Sequence, residues 1–236
     1  MQCSVYNHFA PLDVGIKIGE QKSTTALHFL TVRRIPVLAV ILCLIGIPTL
    51  SRGSGLPEAS YRYRSMLVRE SHAVWGLDAP VADFAAQLHQ ESRWRVQALS
   101  PVGAKGLGQA MPATARWLAT IDPQLAPVRI TSPGWDIRAL VVYDHWLWAR
   151  TNAANDCEHM AKVMRAYNGG LGWLYKDERK ARAQGINVAY NFGQLDQVNA
   201  GRNQSAFTQN TEYPRLILRK FEPQYIAAGF GRGVCA

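Results

Sequence analysis

A single glutamate stands where a predicted helix would place it beside an apolar stripe. Glu91 comes three residues after Leu88 and seven after Phe84, so the three side chains lie close together on one helix face. A carboxylic acid partly withdrawn from water can stay protonated near neutral pH and deliver its proton to a leaving oxygen. Cleavage of a glycosidic bond needs that chemistry. A lone charged residue is more often a surface group, so the assignment depends on the motifs that accompany Glu91.

Three short motifs accompany this glutamate. Glu91-Ser92 is followed by Gly106-Leu107-Gly108-Gln109, which continues into Pro112-Ala113-Thr114-Ala115, and then by Ala166-Tyr167-Asn168-Gly169-Gly170. In this order and at these spacings they resemble the motifs of the lysozyme-like lytic transglycosylases of the soluble type, and more distantly the goose-type lysozymes. The resemblance covers about residues 79–225 and leaves out the first 60 residues.

The resemblance implies a role for each matching position. Glu91 would be the catalytic acid and base, and Ser92 would help to hold the reacting group by a hydrogen bond. Gln109 would contact the sugar beside the cleavage point. Tyr167 and Asn168 would line the same cleft, with the tyrosine hydroxyl available to orient Glu91 or an acetamido group of the substrate.

The match is weaker at two places. Tyr213, in Asn-Thr-Glu-Tyr-Pro, resembles the family's late tyrosine near the catalytic glutamate, but an ordinary core tyrosine fits equally well. Glu212 beside it fits a surface charge. Gly108 stands where the family commonly has methionine, and Met111 could fill part of that space. The fit of the substrate is therefore expected to differ at the glycine-rich loop.

Two kinds of mechanism would use the same glutamate. Ordinary glycosidases need two carboxylates about 5 to 9.5 Å apart. Asp78 and Asp83 lie more than two turns before Glu91 on its own helix, and no second acid stands out. The remaining candidates belong to no motif that connects them to the glutamate: Asp122, Asp136 and Asp144.

A single acid suffices if the substrate's own N-acetyl group stabilises the developing cation and ionised Glu91 then takes a proton from the muramyl 6-hydroxyl. The resemblance thus implies a peptidoglycan lytic transglycosylase that cleaves the β-1,4 bond between N-acetylmuramic acid and N-acetylglucosamine, releasing a 1,6-anhydromuramyl product. Two alternatives stay open. One is a muramidase-type hydrolase on the same fold; the other is a non-catalytic wall-binding module of a secretion or conjugation system, which would have no need of an acid at Glu91.

Metal and cofactor chemistry is not indicated. His89 lies two residues before Glu91, and Cys157-Glu158-His159 brings possible metal ligands together, but neither has the i, i+4 histidine pair of a zinc protease. Cys157 lacks the sequence context of a catalytic thiol. We therefore expect no metal and no organic cofactor.

The elements that position these motifs are predicted to be helices, in a mostly α, lysozyme-like domain. Helices are expected over about 81–91, from Pro112 onward, over about 137–150 with Asp136 as the cap, over about 156–167, and over about 213–228. Residues 100–108 and about 185–209 are expected to be loops. Trp146 is expected in the core, and Trp173, after the glycine turn, is the better candidate for a sugar-stacking residue.

The chain is basic, with a formal charge of +9 and a sequence pI near 9.6. Such a charge favours anionic partners, including nucleic acid, membranes and cell wall. The arginines and lysines are scattered and form no continuous basic tract, which argues against nucleic acid as the partner. Peptidoglycan glycan strands are the partner that the motifs imply.

Residues 1–55 are expected to form an N-terminal extension and residues 56–236 the catalytic domain. Within the extension, Arg33-Arg34 precedes an uncharged apolar stretch over 35–50, which fits a secretory signal better than a spanning helix. The predicted location is therefore the periplasm or cell envelope. An uncleaved segment would instead anchor the protein to a membrane. After signal removal two cysteines remain, and Cys157 and Cys235 are predicted to form a disulfide.

Overall fold

Helices make up most of residues 55–235, the part of the chain that the computed structural model describes. They are α1 (Glu58–Trp75), α2 (Val81–Ser92), α3 (Pro112–Ile121), α4 (Pro133–Trp148), α5 (Asp156–Gly169), α6 (Leu171–Ala183), α7 (Gln204–Arg215) and α8 (Glu222–Ala227). A π-helical segment, Leu216–Phe221, joins α7 to α8. No strand forms within these residues, so the predicted mostly α fold is confirmed.

Helix α2 runs through the core. Every side chain from Val81 to Leu88 is buried, and α1, the π-helical segment and α8 pack around it. Trp75 of α1 lies against Phe84, with ring centroids 5.3 Å apart. Because the helix is held on several sides, packing fixes the position of its last turn, which carries Glu91.

The predicted start of the third helix is wrong. Helix α4 begins at Pro133, a residue well suited to a first helical turn, so Asp136 lies inside that turn and does not cap the helix. The Asp136 carboxylate instead accepts the backbone N–H of Leu107 at 2.8 Å and that of Thr131 at 3.3 Å. Its function is to hold the glycine-rich loop against α4.

The closing helix also begins earlier than expected. The loop predicted to reach Gln209 ends at Asn203, whose side chain accepts the backbone N–H of Ala206 at 2.8 Å and starts α7. Pro214 lies within α7, and Pro223 lies at the start of α8. The two prolines, which lack the N–H of an ordinary helical residue, bracket the π-helical segment.

Helix α5 is bounded almost as predicted. It starts at Asp156, where the Asn155 side chain accepts the N–H of Glu158 at 3.0 Å, and it ends at Gly169, before Gly170, whose φ of 92° suits glycine. Helix α6 follows directly, and the sequence patterns did not single it out. The junction between α5 and α6 is therefore the single residue Gly170.

The segment between α6 and α7 is tied to the domain by buried charges. Asp177 of α6 pairs with Arg165 of α5 at 2.7 Å and also with Arg202, and all three side chains are almost fully buried. The Asp177 carboxylate additionally accepts the N–H of Ala200 at 2.9 Å. The polar segment predicted as a loop over about 185–209 is therefore fixed to α5 and α6 by these contacts.

The predicted disulfide between Cys157 and Cys235 is present, with the two Cα atoms 4.7 Å apart. It joins the first turn of α5 to the end of the chain. Within the described residues no helix is long and apolar enough to cross a membrane. The extension over 1–54 and its apolar segment lie outside the described residues.

Candidate active site

Helix α2 ends directly after the glutamate in an unusual backbone conformation. Arg93 and Trp94 both have positive φ values, 52° and 61°, and this region costs about 1–2 kcal/mol for a residue with a side chain. Trp94 is buried, and its indole N–H donates to the Tyr225 hydroxyl at 2.6 Å. This anchored tryptophan holds the strained helix end, and with it Glu91, in place.

The carboxyl group of Glu91 is partly buried, and the Tyr213 hydroxyl donates a hydrogen bond to its Oε1 atom. Burial raises the pKa of Glu91 from 4.5 to about 7, while the hydrogen bond from Tyr213 acts in the opposite direction. A carboxyl group with a pKa near neutrality can both donate a proton and take one back.

A pocket of about 450 Å³ opens at Glu91. This glutamate pocket is bordered by α2, by the end of α5 and by α7 with the π-helical segment. Its lining residues are Gln90, Glu91, Asn168, Gln209, Glu212, Tyr213 and Leu216. Three of the residues predicted from sequence, Glu91, Asn168 and Tyr213, thus meet in one cavity.

A second pocket, of about 440 Å³, lies along the glycine-rich loop and contains Gln109 and Tyr167. We call it the loop pocket. Tyr167 donates its hydroxyl hydrogen to the carbonyl of Gly108 at 2.6 Å and not to Glu91. Burial, and after it the charge of Glu91, raises the pKa of Tyr167. Tyr167 is thus electrostatically coupled to the glutamate while it braces the loop.

The glycine-rich loop, residues 100–109, is shaped by its own hydrogen bonds. Gln109 has a positive φ of 49°, and its side-chain amide donates to the carbonyls of Gly106 at 2.9 Å and Ala98 at 3.3 Å. Gly106 lies so close to α4 that a Cβ atom there would stand 2.2 Å from a carboxylate oxygen of Asp136. The loop therefore needs glycine at position 106.

Gly108 widens the loop pocket where the resembling family commonly has a larger residue. A Cβ atom at this position would lie 3.3 Å from the Tyr167 hydroxyl and 3.4 Å from Leu140. Met111 lines the same pocket, as expected from its place in the sequence.

Ser92 lines neither pocket. Its side chain is 1% exposed, and its hydroxyl donates to the carbonyl of Leu88 at 3.3 Å. In this conformation the hydroxyl supports the last turn of α2.

Trp146, predicted to lie in the core, and Trp173, the candidate for stacking on a sugar, both lie outside the two pockets. Trp146 is partly buried and meets Trp117 edge to face, with ring centroids 4.8 Å apart. Trp173 has the ammonium group of Lys176 4.2 Å from its ring centroid and the guanidinium of Arg202 5.5 Å away. Two cationic side chains of the same domain thus lie within cation–π distance of this ring.

Asn210 is a site-supporting residue that the sequence patterns missed. From α7 it donates to Asn168 Oδ1 at 3.3 Å, and it accepts from buried Arg165 at 3.2 Å and Arg202 at 2.7 Å. The buried charge network therefore reaches the lining of the glutamate pocket. The sequence held one signal for this role. Asn210 lies three residues before Tyr213, and this spacing places both residues on one helix face.

Glu212 is a second carboxylate in the glutamate pocket. Its side chain is 57% exposed and lies 3.9 Å from Arg215, one turn along α7.

Within residues 55–235 no group of three His, Cys, Asp or Glu side chains is arranged to hold a metal ion.

Comparison with known proteins identifies the domain around this site. Residues 75–190 match the family model described as the Transglycosylase SLT domain. Among curated proteins, the membrane-bound lytic murein transglycosylase F of Pasteurella multocida (strain Pm70) is 32% identical over 102 residues, which is 43% of this chain and 19% of that protein.

Solved structures of a 70-kDa soluble lytic transglycosylase resemble the fold. Its complex with bulgecin A has a TM-score of 0.56 at 22% identity, over 74% of this chain and 25% of the other. The Escherichia coli enzyme alone has a TM-score of 0.49 at 22% identity, over 71% and 24%. The chain spans about a quarter of these proteins or less. Residues 75–190, just under half of the chain, thus match the SLT family model, and the solved complex with bulgecin A shares the fold.

Proposed function

We propose that this protein is a peptidoglycan lytic transglycosylase that cleaves the β-1,4 bond between N-acetylmuramic acid and N-acetylglucosamine. The observation that carries the proposal is Glu91, a pocket-lining carboxyl group whose pKa burial raises to about 7. The curated relative, described as a lytic murein transglycosylase, supports the same substrate class.

In the proposed reaction Glu91 first acts as the acid. Its proton passes to the glycosidic oxygen as the bond to the muramyl C1 breaks, and the N-acetyl group of the same sugar stabilises the cation. Ionised Glu91 then removes the proton of the 6-hydroxyl, whose oxygen closes onto C1. The product is a 1,6-anhydromuramyl end, no water is consumed, and Glu91 returns to its protonated state.

The other predicted residues divide into two groups in this proposal. Asn168 and Tyr213 share the pocket of Glu91, where Tyr213 orients the carboxyl group and Asn168 offers an amide to the sugar. Gln109 and Tyr167 would shape the neighbouring sugar site in the loop pocket. Ser92 would act indirectly, through the helix end that carries Glu91.

Hydrolysis is the second candidate, and Glu212 is the observation in its favour. A carboxylate that shares the pocket with the acid could activate a water molecule, as in inverting glycosidases. Its exposure and its pairing with Arg215 weigh against that role. The two candidates differ in their products, since hydrolysis leaves reducing muramic ends.

The test is muropeptide analysis after incubation of purified peptidoglycan with the wild type, Glu91→Gln and Glu212→Gln. We expect anhydro ends from the wild type and from Glu212→Gln, and a loss of about 100- to 10,000-fold in Glu91→Gln. Exposed Glu58→Gln, on α1, serves as the matched control. Reducing ends that disappear in Glu212→Gln would establish the hydrolase. Equal cleavage by the wild type and Glu91→Gln would overturn the catalytic assignment of Glu91, and no cleavage by the wild type would leave the wall-binding module.

We further infer that the domain works in the periplasm or cell envelope, since the disulfide suits an oxidising compartment. The basic surface would favour retention on a wall rich in carboxylates, and this attraction should weaken with salt. Two further proposals are attachment to a membrane through the N-terminal apolar segment and a role in a secretion or conjugation system.

A further inference from the structure

A buried polar pair lies one turn behind the catalytic glutamate. Gln87 precedes Glu91 by four residues on α2, and Asp144 faces it from α4; both side chains are fully buried. The Gln87 amide nitrogen donates to Asp144 Oδ1 at 3.4 Å. The other two atoms, Gln87 Oε1 and Asp144 Oδ2, have no hydrogen-bond partner within residues 55–235.

The pair is incomplete if Asp144 is ionised. Both remaining atoms would then be acceptors, and two buried acceptors without a donor are costly. A proton on Asp144 Oδ2 supplies the missing donor, because it can be given to Gln87 Oε1. The acid and the amide would then exchange two hydrogen bonds in a closed ring, with every polar atom of the pair satisfied.

The surroundings of Asp144 also favour its neutral form. No ion pair within the described residues joins Asp144 to a lysine, arginine or histidine. The ionisable groups that interact with it are all acidic: Glu91 and Asp83 on α2, Tyr167 on α5 and Tyr213 on α7. Burial raises the pKa of Asp144 well above its usual value; the hydrogen bond from Gln87 acts in the opposite direction, and the charge of Glu91 adds to the rise.

We propose that Asp144 is a neutral carboxylic acid, paired with Gln87 through two hydrogen bonds, and that this pair positions Glu91 from behind. The inference rests on the proposed function for the role of Glu91. When Glu91 gives up its proton it becomes negative, and a second negative charge nearby would oppose that step. A protonated Asp144 joins α4 to α2 without adding such a charge.

The protonation state of Asp144 can be measured whether or not the protein cleaves peptidoglycan. Side-chain carboxyl carbons are labelled with ¹³C in aspartate and glutamate, and Asp144→Asn and Glu91→Gln assign the two resonances. We expect Asp144 to remain protonated through neutral pH. Titration of Asp144 near the ordinary value of about 4 would overturn the proposal. Failure of the proposed function alone would leave this titration unchanged.

Asp144→Asn keeps both hydrogen bonds without an ionisable group, since its amide can donate to Gln87 Oε1 and accept from Gln87 Nε2. We expect the titration midpoint of Glu91 to stay within about 0.3 unit of the wild type, less than a tenth of the shift a buried group can show. A fall in the midpoint beyond that margin would mean that Asp144 carries its charge in the native protein, contrary to the proposal.

Gln87→Glu tests the positioning role with a charge. Two acids would share one proton, which leaves a negative charge one turn from Glu91, so the Glu91 midpoint should rise by about one unit. The alkaline limb of the kcat/KM profile should move with it. Gln87→Met, similar in length and uncharged, should lose stability without this shift. Equal midpoints in the two variants would overturn the positioning role.

Discussion

Glu91 balances two opposed effects within a few ångströms. Burial favours the protonated acid, and the Tyr213 hydroxyl favours the carboxylate that remains after proton donation. Tyr213 is thus both a buried tyrosine and a partner of the glutamate, and the alternatives of core and site that the sequence left open are not exclusive. At this scale the chemistry depends on contacts between α2 and α7.

Tyr213→Phe removes the hydroxyl and leaves the ring in place. Because the hydrogen bond stabilises ionised Glu91, its loss should raise the pKa of Glu91 above about 7 and move the alkaline limb of kcat/KM to higher pH. The rate at the optimum should fall about tenfold, the equivalent of one lost hydrogen bond. A pH series with solubilised glycan strands measures both effects. Tyr190→Phe, on the exposed surface, is the control; an unchanged limb in Tyr213→Phe would contradict this account.

Glu91→Gln should make the protein more stable in alkaline solution. A carboxyl group whose folded pKa is raised favours folding below its unfolded pKa of 4.5, and that contribution is lost as the pH rises through about 7. Replacement by neutral Gln should therefore raise the free energy of unfolding by roughly 3 kcal/mol at about pH 8 and change it little at about pH 4. Urea denaturation at the two pH values provides the measurement, and equal differences at both would contradict it.

At the scale of elements, the glycine-rich loop shows how a short segment is held by a distant helix. Asp136 of α4 accepts the N–H of Leu107, and burial raises the pKa of its carboxyl group to about 6 against the effect of that hydrogen bond. Gly106 leaves room for the contact. Loop and helix therefore behave as one unit beside the loop pocket.

Gly106→Ala should disrupt this unit. Its Cβ would stand 2.2 Å from Asp136 Oδ2, and we expect a loss of about 2–4 kcal/mol in the free energy of unfolding. Gly103→Ala is a matched control, because Gly103 has a similar positive φ of 89° but open space around its Cβ position. It shares the backbone strain without the collision, so equal losses in the two variants would show that strain alone is responsible.

The sequence predicted the start of α2 after Pro80 and the end of α5 near Gly170, but it missed α6, which begins after the same glycine. It failed where a boundary is set by one side chain inside a polar run, as at Asn203. Glu91 was predictable because its motif is local. The Gln87–Asp144 pair was not, since its two residues lie 57 positions apart and meet only through the packing of α2 on α4.

At the scale of the whole molecule, two sets of contacts attach distant segments of the chain to α5. One is the buried network of Asp177 with Arg165 and Arg202. The other is the disulfide from Cys157 to Cys235, with a separation of 78 residues. Together they attach the polar segment and the chain end to the helix that carries Tyr167 and Asn168.

Replacement of both cysteines by serine should lower the free energy of unfolding by about 4 kcal/mol, from the entropy of a loop of this length. Because neither cysteine lines either pocket, the pH profile of the remaining activity should keep its shape. Urea titration of both proteins, with and without reductant, gives the comparison. Sensitivity of the double variant to reductant would indicate another cause.

The place of Glu91 in the last turn of α2 has an electrostatic consequence of its own. The carbonyl groups at the end of a helix carry a partial negative charge, which opposes an ionised carboxylate by about 0.3–1 kcal/mol. A glutamate in a first helical turn would be a stronger acid for the same reason. The direction of α2 thus adds to burial in keeping the proton on Glu91, as the proposed acid step requires.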